Sequence, residues 1–347
     1  MNGTALRAAG KRDHQIDLVK TVAICFVLLI HCCFYTDPVG SAQWTQAVLL
    51  GSMVRPAVPL FLMCSGALLL PPEKELPLRR LLRHNLLRIF AAMLFWGMVY
   101  QVWHLLAEGM TLRKLLLAAA RVLLFQQEWH FYYLHITILV YLFLPLTRLL
   151  VRHATREKLR YALCLWFAFG IVLPTVRNYP PFTLLGTRVR NYALDSGYAA
   201  IGYGLLGWYL KRYPLSRRMS AGLLGIGLAG VFGGTWLVSL LQGELFEGFF
   251  EGMNVAVCMM AAGLFCLLGQ LAARVRRPHI LAYLARASFC VYLIHVFFLN
   301  YLFALGFDSV PLPRLLLVPL GAAVLLGLSL LGYAVLSKIP VVRDWLI

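Results

Sequence analysis

The stretch Ile16-Asp-Leu-Val-Lys20-Thr-Val-Ala-Ile-Cys-Phe-Val-Leu-Leu-Ile30-His31-Cys-Cys-Phe-Tyr35 decides how the rest of the chain is read. It is long and apolar enough to cross a hydrocarbon core of about 30 Å as a helix. Lys20 and His31 stand eleven positions apart. At about 100° and 1.5 Å per residue they share a face to within roughly 20° and are separated by roughly 16 Å along the axis. Asp17, three residues before Lys20, is the one candidate partner on the same helix. Ionisable groups in a bilayer are costly and mark pathways or reactive sites.

The remainder of the chain repeats the pattern. Of its 347 residues 61% are hydrophobic and 13% charged, and mean hydropathy is +0.76, which excludes a soluble domain. Windows of about 20 residues give ten expected spans, near 16–36, 47–70, 86–107, 129–150, 159–175, 196–211, 219–241, 253–273, 285–304 and 314–337. The expected fold is therefore all-α, a polytopic membrane helix bundle forming one integral domain over residues 1–347. The first span is longer than a signal-peptide core and is not followed by a small-residue cleavage site, so it reads as retained.

The net charge of +18 is arranged for topology rather than for nucleic acid. Alternate connections hold 24 of the 32 Lys and Arg residues. They run from Arg7, Lys11, Arg12 and Lys20 through Arg79, Arg80, Arg83 and Arg88 to Lys338 and Arg343. By the positive-inside rule both termini are expected in the cytoplasm, with attraction to anionic membrane lipid second. The eight cysteines lie in or beside apolar spans without a CxxC pair, and no metal site is expected.

Between the spans, Leu112–Phe125 is too charged to cross and reads as an interfacial or re-entrant helix. Val176–Asp195, with Pro180-Pro181, is a polar outer loop, and Gln242–Met253 is an acidic one. Gly202-Tyr-Gly-Leu-Leu-Gly207 and Gly225-Ile-Gly-Leu-Ala-Gly230 match a dinucleotide fingerprint in spacing alone. Inside membrane spans they read as helix-packing glycines.

Three groups converge in depth. His31 lies about 7 Å from the outer end of its span, and Arg55, in the returning second span, about 12 Å below the outer surface. His130 opens the fourth span from outside. Arg55 either stabilises negative charge, helped by carbonyls freed at Pro56 and Pro59, or clamps helices together. Trp129 and Tyr132 fit both an interfacial belt and a substrate-binding wall. His295, near mid-membrane, reads as a packing histidine or a substrate contact.

These segments resemble the acyltransferase-3 family of integral membrane acyltransferases, and within it the surface-polysaccharide O-acetyltransferases such as the one modifying enterobacterial common antigen. The resemblance rests on Asp17, Lys20 (Arg in the family pattern) and His31, and on Arg55-Pro-Ala-Val-Pro-Leu-Phe-Leu-Met-Cys-Ser65-Gly66. It continues in Arg88-Ile89, preceded by Asn85 where a basic residue is usual, and in His130-Phe-Tyr132-Tyr-Leu, Tyr141-Leu-Phe-Leu-Pro145-Leu, and Ser288, Tyr292 and His295. It implies acyl transfer from acyl-CoA, usually acetyl-CoA, to a hydroxyl of a glycan or lipid-linked sugar, in a multi-pass protein of the bacterial plasma (inner) membrane. His31, Arg55 and His130 would be catalytic. Lys20, Arg83 and Arg88 would bind coenzyme A, while Asp17, Trp129, Tyr132 and His295 would bind substrate. A neutral imidazole at His31 can act as general base or become acylated itself. A transporter or flippase for anionic or sugar-lipid substrates is the competing class, and a homodimer stays open as the assembly.

Overall fold

In the computed structural model, residues 12–177, 179 and 181–347 are described. Arg7, Lys11 and Pro180, used above for charge and loop reading, lie outside them. All regular structure among the described residues is helical. Twelve longer helices form it. They are α1 (His14–Cys32), α2 (Ala42–Val54), α3 (Ala57–Leu69), α4 (Leu87–Glu108), α5 (Leu112–Leu123), α6 (Tyr132–His153), α7 (Arg156–Trp166), α8 (Ser196–Arg212), α9 (Arg217–Gln242), α10 (Val255–Ala272), α11 (Pro278–Ala304) and α12 (Arg314–Leu336).

Among the described residues nine helical stretches are long and apolar enough to cross a membrane. The tenth expected span is α8, whose 17 residues reach roughly 25 Å. It nonetheless runs between the two ends of the bundle. Leu194 N, just before it, donates to Phe169 O at one end, and Lys211 in its last turn ion-pairs with Asp13 beside the start of α1 at the other. Its shortness is compensated by close packing, because α8 buries its glycine face. A Cβ on Gly66 of α3 would overlap the Gly204 carbonyl, and one on Gly207 would overlap the Met63 backbone. The first GxGxxG is thus a helix-crossing surface. In the second, Gly227 and Gly230 pack on Ala256, whereas Gly225 faces open space.

The second span is one crossing made of α2 and α3, interrupted at Arg55-Pro56, where proline has no N–H to continue the ladder. The connection leading into α12 is locked to the one that follows α1. Arg314 donates to both carboxylate oxygens of Asp37, at 2.8 and 3.0 Å, and sits over the Phe34 ring at 4.0 Å. α1 is central. Its buried residues, from Ile16 to Cys32, join one apolar core with α3, α10, α11 and α12. Large exposed side chains such as Leu316, Leu320 and Leu331 cover the outside of α12, as expected of a surface that meets lipid.

α5 forms where the interfacial helix was expected. Thr111 caps it by accepting from Lys114 N. Leu112, Leu116, Leu117 and Leu123 lie open along it. The eight cysteines are free; six are buried or half-buried within spans, Cys33 follows the end of α1, and Cys164 is exposed.

Candidate active site

At the α1 N-terminal end the helices splay around a cavity of about 1470 Å³. Arg12 and Lys20 reach it from the start of α1, and Arg79, Arg80 and Arg83 from the turn leading into α4. Arg88, Arg286 and Arg343 complete a cationic lining in which Asp17 is the one acidic side chain among the described residues. That carboxylate is already engaged. Arg12 Nε and Nη2 donate to it at 2.5 and 3.0 Å, and Arg12 Nη2 also donates to Ala282 O at 2.8 Å. Uncompensated positive charge is felt at Lys74, in the connection beyond α3. Partial burial first, then Arg80 and Arg148, hold its ammonium below the usual lysine range. The α4 approach contains a π-helical turn, Leu81–Leu86, which carries Arg83, His84 and Asn85 into the cavity. Arg88 donates to Ile347 O, and Trp96 Nε1 donates to Leu346 O at 2.9 Å, so the chain's last residues form part of the wall.

Deeper in, the cavity is bounded by Phe61, Tyr133, Leu134 and Tyr292. Tyr292 is the partition between two chemistries. Its hydroxyl donates to His130 O at 2.5 Å, and its own carbonyl accepts from His295 Nδ1 at 2.7 Å. The second bond assigns the proton of a neutral His295 to Nδ1 and leaves a lone pair on Nε2.

Beyond Tyr292 three imidazoles meet. His31 stacks on His295 with ring centroids 5.1 Å apart, and His130 stands nearly perpendicular to His295 at 5.4 Å. His130 and His295 are fully buried. Both nitrogens of His130 and Nε2 of His295 lack hydrogen-bond partners among the described residues. Buried polar atoms are nearly always paired, so three free nitrogens at one point indicate a place for a reactant. No group of three or more His, Cys, Asp or Glu side chains suited to hold a metal occurs among the described residues.

Trp129 roofs the cluster, its ring edge-on to His31 at 4.7 Å, with 57% of the residue exposed. The turn carrying Trp129 and His130 is tethered by Glu128, which meets His104 Nε2 of α4 at 2.8 Å. Tyr132 is exposed one turn further on. Arg55 lies within Coulombic range of His31. It is held by Gly51 O at 3.2 Å, by Tyr35 Oη at 3.1 Å and by the face of Phe250 at 3.6 Å. No carboxylate pairs with it among the described residues.

Sequence reasoning set His31, Arg55 and His130 at one depth; the structure sets His31, Trp129, His130 and His295 ring against ring. Lys20, Arg83 and Arg88 share the inner cavity. Asp17, near the start of α1, lines the same cavity and is held there by Arg12. Arg12, Arg286, Arg343 and Tyr35 were not singled out. Only the basic character of the first three hinted at their place, since helix neighbours distant in sequence leave no local pattern.

A family model described as an acyltransferase domain, of the acyltransferase-3 type, matches residues 13–334. The chain belongs to the acyltransferase-3 family. Every site residue named above except Arg12, Arg343 and the last two residues falls within the match. The protein is accordingly a multi-pass membrane acyltransferase, and its family gives the transporter reading no support. No curated protein and no solved structure matches the chain significantly.

Proposed function

We propose that this acyltransferase moves an acyl group, acetyl by its resemblance, from cytosolic acyl-CoA to a hydroxyl of a cell-surface glycan or lipid-linked sugar, in a bacterial plasma membrane. The observation that carries the reading is the position of Tyr292. It lines the cationic cavity on one side and is bonded to His130 and His295 on the other.

Coenzyme A is a long donor substrate with several phosphate charges at one end and a thioester at the other. The arginines and Lys20 suit the phosphates, and the tyrosine-lined depth of the cavity suits the uncharged arm. The thioester then meets the histidines across Tyr292. His31 takes the proton of the acceptor hydroxyl as its oxygen bonds to the thioester carbonyl carbon. The tetrahedral oxyanion faces the fixed charge of Arg55. Collapse breaks the carbon–sulfur bond, and the imidazolium returns the proton to the departing thiolate. The products are free coenzyme A and an O-acyl ester, with no net proton change. His130 and His295 keep the hydroxyl within reach through their free nitrogens.

The test is incubation of purified protein with radiolabelled acetyl-CoA and candidate glycan lipids, followed by chromatography. Label is expected in the glycan as a base-labile ester. Label that stays in acetyl-CoA, or accumulates across proteoliposomes without esterification, would overturn the reading.

A further inference from the structure

A second cavity, of about 350 Å³, opens at the other end of the bundle. Arg177 and Tyr179 line it from beyond the fifth span, Asp195 and Ser196 from the start of α8, and Glu251 and Asn254 from the approach to α10. Phe250, the residue before Glu251, is the ring on which the Arg55 guanidinium rests at 3.6 Å.

Its polar groups are only partly used. Asn254 is 4% exposed, and its Oδ1 caps α10 by accepting from Ala256 N at 2.9 Å. Its amide N–H groups donate to none of the described residues and belong to the cavity that the side chain lines. Asp195 Oδ1 accepts from Gly197 N at 2.9 Å, leaving the second oxygen free. Neither Arg177 nor Glu251 is ion-paired among the described residues.

Charge decides the ligand class. Arg177 and the N-termini of α8 and α10, each worth about half a positive charge, oppose Asp195 and Glu251, so the cavity is close to neutral. A phosphate or carboxylate would face two carboxylates. An apolar group would leave the buried Asn254 amide without a partner. A sugar ring satisfies every wall. Its hydroxyls would donate to Glu251 and Asp195 and accept from Asn254 and Arg177, while its C–H face would cover the ring of Tyr179, a residue 39% exposed. The volume is at the lower end of small-ligand pockets, about 300–1,000 Å³, and suits one ring rather than a chain.

We propose that this cavity is the sugar-selecting subsite for the acceptor, holding one neutral hexose ring beside Arg55 while the reacting hydroxyl reaches His31. The proposal rests on the acyl-transfer reading above. Two variants separate ligand contact from folding. Tyr179→Ala removes an exposed ring, and Asn254→Asp keeps the helix cap but replaces the amide donors with an acceptor.

Saturation-transfer NMR on the full chain in nanodiscs, with glucose, galactose, mannose and N-acetylglucosamine as probes and inorganic phosphate as competitor, tests it. Coenzyme A binding is measured by calorimetry on the same samples. At least one hexose is expected to receive saturation from the wild-type protein. The expected loss is about tenfold in apparent affinity in each variant, the scale of one hydrogen bond or stacking contact to a ligand, with coenzyme A binding unchanged. Absence of a hexose signal, a signal indifferent to both variants, or displacement by phosphate would overturn the sugar subsite. Sugar binding that depends on Tyr179 and Asn254 in a protein that does not bind coenzyme A would overturn the acyl-CoA reading and leave the subsite standing.

Discussion

His295 stacks on His31 with centroids 5.1 Å apart and planes inclined by 21°. The contact joins the end of α1 to the middle of α11. The two rings differ in freedom. His295 is fully buried and tied to the Tyr292 carbonyl, whereas His31 is half-buried under Trp129. In the proposed reaction this asymmetry suits His31 to the base and His295 to a fixed platform.

His31→Ala should lower acyl transfer by at least about 10²-fold, the usual contribution of a positioned base. The melting temperature in detergent should stay within about a degree, because the lost ring is half-buried and not hydrogen-bonded into the core. Transfer within threefold of the wild type would remove His31 from the reaction.

Arg55 owes its orientation to Tyr35, and Gly51 makes room for the tyrosine hydroxyl, against which a Cβ would collide. Gly51→Ala should therefore displace Tyr35 and with it Arg55. A tenfold or greater loss in kcat with donor KM unchanged is expected, larger than the loss in Tyr35→Phe, which keeps the ring in place. Equal kcat in Gly51→Ala and wild type would show that Arg55 needs no such support.

The helical class and a separate helix at α5 were legible, because each depends on local periodicity and composition. α8 was legible as a helix, but its close packing on α3 was only half visible in the glycine spacing. The partners of Asp17 and Arg55 were not legible. Arg12, Tyr35 and Phe250 reach them through helix crossings, and a crossing is set by side-chain fit between segments far apart in sequence. Tyr292 stood in the sequence as one residue of a motif, and its role as a partition emerges only from bonds to His130 and His295.

The glycine contacts predict opposite outcomes for two similar changes. Gly207→Ala forces α8 off the Met63 backbone and should lower the melting temperature by several degrees. Gly225→Ala meets nothing within 4 Å. There alanine is favoured in a helix by roughly 0.5–1 kcal/mol, so stability should hold or rise. Thermal unfolding followed by circular dichroism in one detergent compares the two, and a common response would remove close helix packing as the reason for the first glycine cluster.

Lys20 stands in the cationic cavity roughly 16 Å along α1 from His31, and in the proposed reaction its charge meets the donor's phosphates. Lys20→Arg should preserve coenzyme A affinity. Lys20→Glu places a second carboxylate beside Asp17, the one acidic side chain among the described residues of the lining, and should weaken binding by tenfold or more through repulsion of the phosphates. Low salt should widen the gap between the two variants, since screening weakens charge interactions at an open mouth. Calorimetric titration of both variants with coenzyme A reads the effect directly. Wild-type affinity in Lys20→Glu would move donor entry away from α1, even if acyl transfer itself survived.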